Sequence, residues 1–323
     1  YSMHRLISFL FLLHTAAAHA QQLGTGWMTS PSPNDSSCLW FRRTFVTANY
    51  TERPVRASVC IVSASRFVLY VNGRNVSTSL YSNASGANAA APVSTTYDVT
   101  RFLRPDSNTV AVLACPIYAY DGLVSSPKIA ISLYGTTATG NPFASSSADG
   151  WLCHAASTVI SAGNELEDGR SDALPPSHGD MVMAQWQPVE IIPPSTYYPQ
   201  TFYSYNSLSA ESIFGHTPLG YNTLTDNSAY TRHTLLPRFF DIDGSTVTYD
   251  FSPGFYGLVR VTFRGCRRGE RIHIGNHLAY ICSGEMDEQA YCRFSPIFAR
   301  KITISGDRWF HAEQVQEVVV LGL

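Results

Sequence analysis

Short stretches in which apolar and polar residues alternate recur along this chain, while helical periodicity is scarce. Successive side chains of a strand point to opposite faces, so such alternation marks strands with one face buried. Trp40-Phe41-Arg42-Arg43-Thr44-Phe45-Val46 is one such run. Ala57 to Val62 is β-branched, and Phe67-Val68-Leu69-Tyr70-Val71 ends in Asn72-Gly73. Asn-Gly tolerates positive φ and therefore predicts a tight turn. Further strands are predicted over Thr109 to Cys115, Lys128 to Tyr134, Val247 to Phe251 and Gly257 to Phe263, and again at Arg271 to Ile274, Lys301 to Ile304 and Val315 to Leu321. Ser77 to Pro92 and Gly135 to Gly150 are small, polar and loop-like, and Ser157 to Met183 receives no assignment. Many short strands with Gly and Pro between them predict an all-β protein, and 323 residues exceed one usual domain of about 100–200. The rigid Ile191-Ile192-Pro193-Pro194 stretch supplies a linker.

The start of the chain reads as an address. Met3-His4-Arg5 is basic, Leu6 to Leu13 is apolar, and Ala18-His19-Ala20 is an A-x-A site, which predicts a signal peptide over residues 1–20. The apolar run is well short of the roughly 20 residues a membrane helix needs, and no other stretch approaches that length. Tyr1-Ser2 ahead of Met3 suggests a translated reading frame or a fragment. A secreted, extracellular protein follows. Sequons at Asn34, Asn49, Asn75 and Asn83 make it a candidate N-glycoprotein. A net charge of -2 without a Lys/Arg cluster argues against a nucleic-acid partner.

Seven cysteines occur without a CxxC pair, which predicts no metal site. In an oxidising compartment some should pair, and the odd number leaves at least one unpaired or intermolecular. Cys282 and Cys292 can close a short loop, with Cys266 the competing partner.

Catalytic signals are weak. Glycoside hydrolysis needs a carboxylic acid and a carboxylate across the sugar. Glu285, Asp287 and Glu288 form the densest acidic group, but they read as a solvated loop. Asp241 and Asp243 lack the other ligands of a calcium loop and read as a turn. No G-x-S-x-G or H-E-x-x-H occurs, and His154, His178 and His216 read as surface or hydrogen-bonded residues. No catalytic residue, cofactor or metal is assigned. Sugar binding asks only for an aromatic face and a few polar groups. Tyr118, Tyr120 and Asp121, just after a predicted strand, offer both, although packing between domains would also explain the tyrosines. Tyr197-Tyr198 and Phe202-Tyr203 are an alternative platform, and Trp151 is expected in the core.

Two blocks carry a family resemblance. Trp40 to Phe45, Leu69-Tyr70-Val71-Asn72-Gly73, Tyr97-Asp98-Val99-Thr100, and Leu103 with Asn108 to Val112 resemble, in that order, the galactose-binding-like jelly-roll domain of many glycoside hydrolases. Asp98 there is placed to cap a single turn before the next strand. Tyr249-Asp250-Phe251-Ser252-Pro253-Gly254-Phe255-Tyr256-Gly257 is similar to a strand pair in the following β-domain of bacterial-type α-L-rhamnosidases. Arg267 to Ile272 resembles the turn that follows it, and Ser283 to Ala290 resembles a further segment of that family.

The resemblance implies two successive β-sandwich (jelly-roll-like) domains, at 21–190 and 191–323. It also implies that the catalytic acid and base belong to an α/α-barrel with no counterpart in these residues. The expected function is a secreted, non-catalytic, carbohydrate-binding or accessory region of an α-L-rhamnosidase-like glycoside hydrolase, whole or as a fragment. Its partners would be carbohydrate, a catalytic domain or a neighbouring protein. The alternative is a standalone extracellular structural or adhesive glycoprotein.

Overall fold

The computed structural model describes residues 26–32, 37–46, 54–63, 65–77, 79–83, 94–116, 126–146, 150–161, 163–170, 186–192, 204–206 and 229–323. Among them the regular structure is strand, interrupted by the 3-10 turns Thr100–Phe102 and Ala312–Gln314. The fold is all-β, as the alternation predicts.

Two large hydrophobic cores form among the described residues, and the period-two pattern decides which residues enter each. In the first, Leu39 and Phe41 on Ser37–Val46, Phe67, Leu69 and Val71 on Arg66–Val71, and Val110, Val112 and Ala114 on Ser107–Cys115 face one way. Opposite them stand Ala57, Val59 and Ile61 from Pro54–Ser63, and Ile129, Ile131 and Leu133 from Ile129–Thr137. These two layers belong to different sheets. The smaller runs, in spatial order, Glu190–Ile192, Trp27–Thr29, Ile129–Thr137, Pro54–Ser63, Ser94–Asp98 and Ser204–Asn206. The expected boundary at residue 191 falls inside the first of these strands. Trp151 sits in this core and donates its indole N–H to Ser146 O at 2.9 Å.

Local chemistry fixes the connections. Asn72 (φ 50°) and Gly73 (φ 79°) make the expected tight turn between Arg66–Val71 and Arg74–Asn75. The Asn72 side chain donates to Phe102 O at 2.8 Å and accepts from Thr109 N–H at 2.9 Å, tying the turn to its neighbours. Asp98 Oδ1 accepts the Thr100 N–H at 2.9 Å, where the single turn Thr100–Phe102 begins. Residues 135–150, read as a loop, instead include the strand Pro142–Ser146, which folds back on Ile129–Thr137. Small polar side chains concealed it, because they give almost no periodic signal.

The second core is organised by Thr246–Arg264, a strand of 19 residues that serves two parts of the sheet. Its first half pairs with Phe239–Asp243 and Ile297–Gly306, and its second half with Asp287–Tyr291 and Val315–Gly322. At Ser252-Pro253-Gly254 the register against Ile297–Gly306 shifts between Asp250 and Phe255, and pairing with that strand resumes through Gly257. Such an irregularity bends the strand locally and increases its twist. Beyond the bend, Val259, Val261 and Phe263 enter the second core, whereas Leu258 points to the other side.

Asp250 holds the bend. Its Oδ1 accepts from Ser252 N–H at 2.8 Å and from the Ser252 hydroxyl, and its Oδ2 lies 3.6 Å from Arg300 and 3.9 Å from Lys301. The Ser252 hydrogen bonds, aided by the two cations and opposed by burial, hold this carboxyl below its ordinary 3.8. A carboxyl depressed in the folded state stabilises the fold above its unfolded pKa, and that contribution disappears as pH falls through the folded value. Thermal midpoints measured from pH 7 down to 2 should therefore drop in the wild type below about pH 4. Asp250→Asn should melt lower at neutral pH and approach the wild-type curve in acid; parallel curves would refute this role.

Candidate functional site

The densest buried chemistry lies where the two cores meet. The larger sheet is continuous because Asn164–Asp168 pairs antiparallel with Leu152–Ser161 on one side and parallel with Leu278–Ile281 on the other. Alternation along Asn164-Glu165-Leu166-Glu167-Asp168 buries both glutamates and leaves Leu166 half-buried, the reverse of the usual apolar-in pattern.

Glu165 is 2% exposed and meets a row of backbone donors. Its Oε1 accepts from Phe294 N–H at 2.7 Å and Ser295 N–H at 2.6 Å, and its Oε2 from Arg293 N–H at 2.9 Å. The Cys292 thiol also donates to Oε1, at 3.3 Å. Burial and the Glu165 carboxylate together push that thiol well above its usual range. Glu167 Oε2 accepts Tyr291 N–H at 3.4 Å, and Oε1 lies 3.5 Å from the Arg293 guanidinium. Desolvation raises the Glu167 carboxyl despite that cation.

Around the carboxylates the junction is aromatic and apolar. Arg66 donates to Phe294 O and lies over the Tyr81 ring, and Tyr81 in turn packs on Phe294 with centroids 5.8 Å apart. Cys38, Val68, Leu113 and Cys115, on the back of the first sandwich, meet Leu258 and Phe294 of the second unit.

The acids singled out from sequence are dispersed. Glu285 and Asp287 are exposed, and Asp287 pairs with Arg264 at 2.6 Å. Glu288 is not solvated as expected; it is 7% exposed. It accepts from Tyr280 OH at 2.9 Å, Ser283 N–H at 2.6 Å, Ser283 Oγ at 3.0 Å and Gly284 N–H at 3.2 Å. The strand Asp287–Tyr291 sends neighbouring acids to opposite faces, a consequence the loop reading missed. Asp241 and Asp243 lie on the strand Phe239–Asp243 rather than in a turn, and both are exposed.

Cys38 and Cys115 form a disulfide at the end of the ladder in which Leu39 faces Ala114. Cys266, Cys282 and Cys292 are buried thiols. Asn75 is an exposed residue just after the Asn-Gly turn, and Asn83 lies on the short strand Ser82–Asn83. Asn34, Asn49, Tyr118, Tyr120, Asp121, Tyr197, Tyr198, Phe202, Tyr203, His178 and His216 lie outside the described residues. His154 contacts Trp186, their ring centroids 5.5 Å apart. No helix among the described residues is long and apolar enough to cross a membrane.

Two β-sandwich cores joined through one shared sheet define a fold found in carbohydrate-active enzymes, specifically in α-L-rhamnosidases. The α-L-rhamnosidase from Dictyoglumus thermophilum superposes with a TM-score of 0.73 at 17% identity, over 91% of this chain and 35% of that one. The Streptomyces avermitilis enzyme, solved with L-rhamnose, gives 0.72 at 16% identity over 89% and 28%. The Aspergillus terreus enzyme gives 0.71 at 15% identity over 92% and 36%. The chain thus spans about a third of the length of these enzymes and shares the fold of that part. No family model and no curated relative matches it.

Glu165 tests the junction. Glu165→Ala removes the acceptor for three backbone N–H groups, a change expected to cost about 3–5 kcal/mol because the donors stay buried. Scanning calorimetry should show the wild type unfolding in one transition and the variant in two, as the units uncouple. Glu165→Gln should behave similarly, since its amide presents a donor where only acceptors fit.

Proposed function

We propose that this chain is the secreted, non-catalytic accessory region of an α-L-rhamnosidase-like glycoside hydrolase, acting by packing against a catalytic domain or by binding carbohydrate. The observation that carries this reading is the fold, shared over about 90% of this chain with roughly a third of three such enzymes.

Two features of the site support it. The buried carboxylates Glu165 and Glu288 are occupied by backbone and side-chain donors, so these two do not form a free acid–carboxylate pair. Bond cleavage needs such a pair free to reach the sugar. The second feature is an uncovered row of apolar residues. Ile242 is opposite Val247 and Phe240 opposite Tyr249, with Ile304 and Ile302 next in the same rows. Directly opposed residues share a sheet face. Val247, Ile302 and Ile304 are buried in the core, yet Phe240 and Ile242 are 60% and 50% exposed at the edge. An apolar face running outward from a core suits contact with further protein.

Purified chain incubated with an aryl α-L-rhamnoside should show no turnover. Turnover that disappears in Glu285→Gln or Asp287→Asn would overturn the reading. In glycan-array binding, Tyr118→Ala and Tyr120→Ala separate the two accessory roles. Binding lost in these variants assigns carbohydrate recognition, whereas no binding by the parent chain leaves protein packing. A disulfide-linked dimer without sugar binding would favour an adhesive glycoprotein instead.

A further inference from the structure

Cys266 follows the long bent strand, and Cys282 follows the strand Leu278–Ile281. The turn between Arg267 and Glu270 folds Cys266 back toward Cys282. Gly269 N–H donates to Cys282 O at 2.9 Å, and Cys282 N–H donates to Glu270 O at 2.9 Å. The two sulfurs lie within 4.8 Å of each other and of a Glu288 oxygen. Both residues are buried, at 5% and 0% exposure. From this geometry we infer that Cys266 and Cys282 form a second disulfide when the protein matures under the oxidising conditions that close Cys38–Cys115.

Competing arrangements fit less well. Cys292 is held elsewhere, its Sγ donating to Glu165 at 3.3 Å and to Ser295 O at 3.1 Å. A metal on Cys266, Cys282 and Glu288 would have three protein ligands, one short of a closed tetrahedral site. Glu288 already accepts four hydrogen bonds, which compete with a metal for its oxygens. Glu270, whose Oε1 has no hydrogen-bond partner, is not in that cluster. A metal also needs thiolates, and the adjacent Cys266 thiol, burial and the neighbouring Glu288 and Glu270 all oppose ionisation of Cys282. A disulfide carries no charge and leaves the Glu288 bonds intact.

The oxidation is a thiol–disulfide exchange with a small-molecule disulfide such as glutathione disulfide. One cysteine displaces a glutathione thiolate and forms a mixed disulfide; the second attacks it and releases the other. One S–S bond forms, one breaks, and two electrons and two protons pass to the glutathione pair. With the Cys282 thiol so hard to ionise once buried, the exchange belongs to the folding chain. The closed loop contains the hairpin Arg271–Ile274 and Leu278–Ile281, the edge that receives Asn164–Asp168. The bond would therefore stiffen the surface on which the first unit docks.

The test uses the full chain from an oxidising secretory host, denatured with iodoacetamide and no reductant. Trypsin plus a glutamyl endopeptidase cuts after Arg264, Arg267, Arg271 and Glu285, which separates Cys282 from Cys292. Mass spectrometry should find Gly265–Arg267 linked to Ile272–Glu285, lighter by two hydrogen atoms than the reduced pair, with Cys292 carbamidomethylated. The Cys38–Cys115 crosslink is the internal control. Carbamidomethylation of both Cys266 and Cys282 would overturn the proposal, as would a Cys282–Cys292 crosslink or one zinc released per native chain by a mercurial reagent. Cys266→Ser, Cys282→Ser and the double variant should all lower the thermal midpoint by the same several degrees; additive shifts would also count against it. If a variant fails to fold, the peptide map of the parent chain still decides.

Discussion

Burial of the Glu165 carboxylate beneath the backbone of residues 292–295 is the interaction on which the two-unit architecture rests. A carboxylate removed from water is costly unless its oxygens are occupied. Here three N–H groups converge on it from a loop of the other unit, and each would be an orphan donor without it. The dependence is mutual: the acid cannot be buried without the loop, and the loop cannot be buried without the acid. Parallel pairing of Asn164–Asp168 with Leu278–Ile281 then follows with its register fixed, since a shift of one residue would turn both glutamates to the opposite face.

The same junction explains the composition of the middle layer. Ser107–Cys115 is buried along almost its entire length because one face serves the first core and the other meets the second unit. Arg66–Val71 shows the same division, with Phe67, Leu69 and Val71 facing one way and Val68 the other. A layer covered on both sides needs apolar residues at successive positions, not only at alternate ones. That is why Val110 to Cys115 reads as a continuous hydrophobic run.

Much of this was legible in the sequence where one face is apolar and the other is not. The alternation through Gly257 to Phe263 places Val259, Val261 and Phe263 inward, and Asn72-Gly73 turns as its chemistry requires. The strand Asn164–Asp168 was not legible, because its inward residues are acids whose partners lie more than a hundred positions away. Glu288 was misread for the same reason: its buried state depends on Tyr280 and the turn at Ser283, not on its acidic neighbours. The Cys38–Cys115 pair joins adjacent strands across a sequence separation of 77, which spacing alone does not single out.

The bridging strand also sets an order of events during synthesis. Asn164–Asp168 leaves the ribosome long before Leu278–Ile281, its parallel neighbour. Until that neighbour emerges, the first sandwich carries an open edge and two acids without their donors. Pairing at such long separation is slow, and open strand edges invite association with other chains. The nascent first sandwich is thus an aggregation-exposed stage of synthesis, relieved only when residues 278–295 have been made.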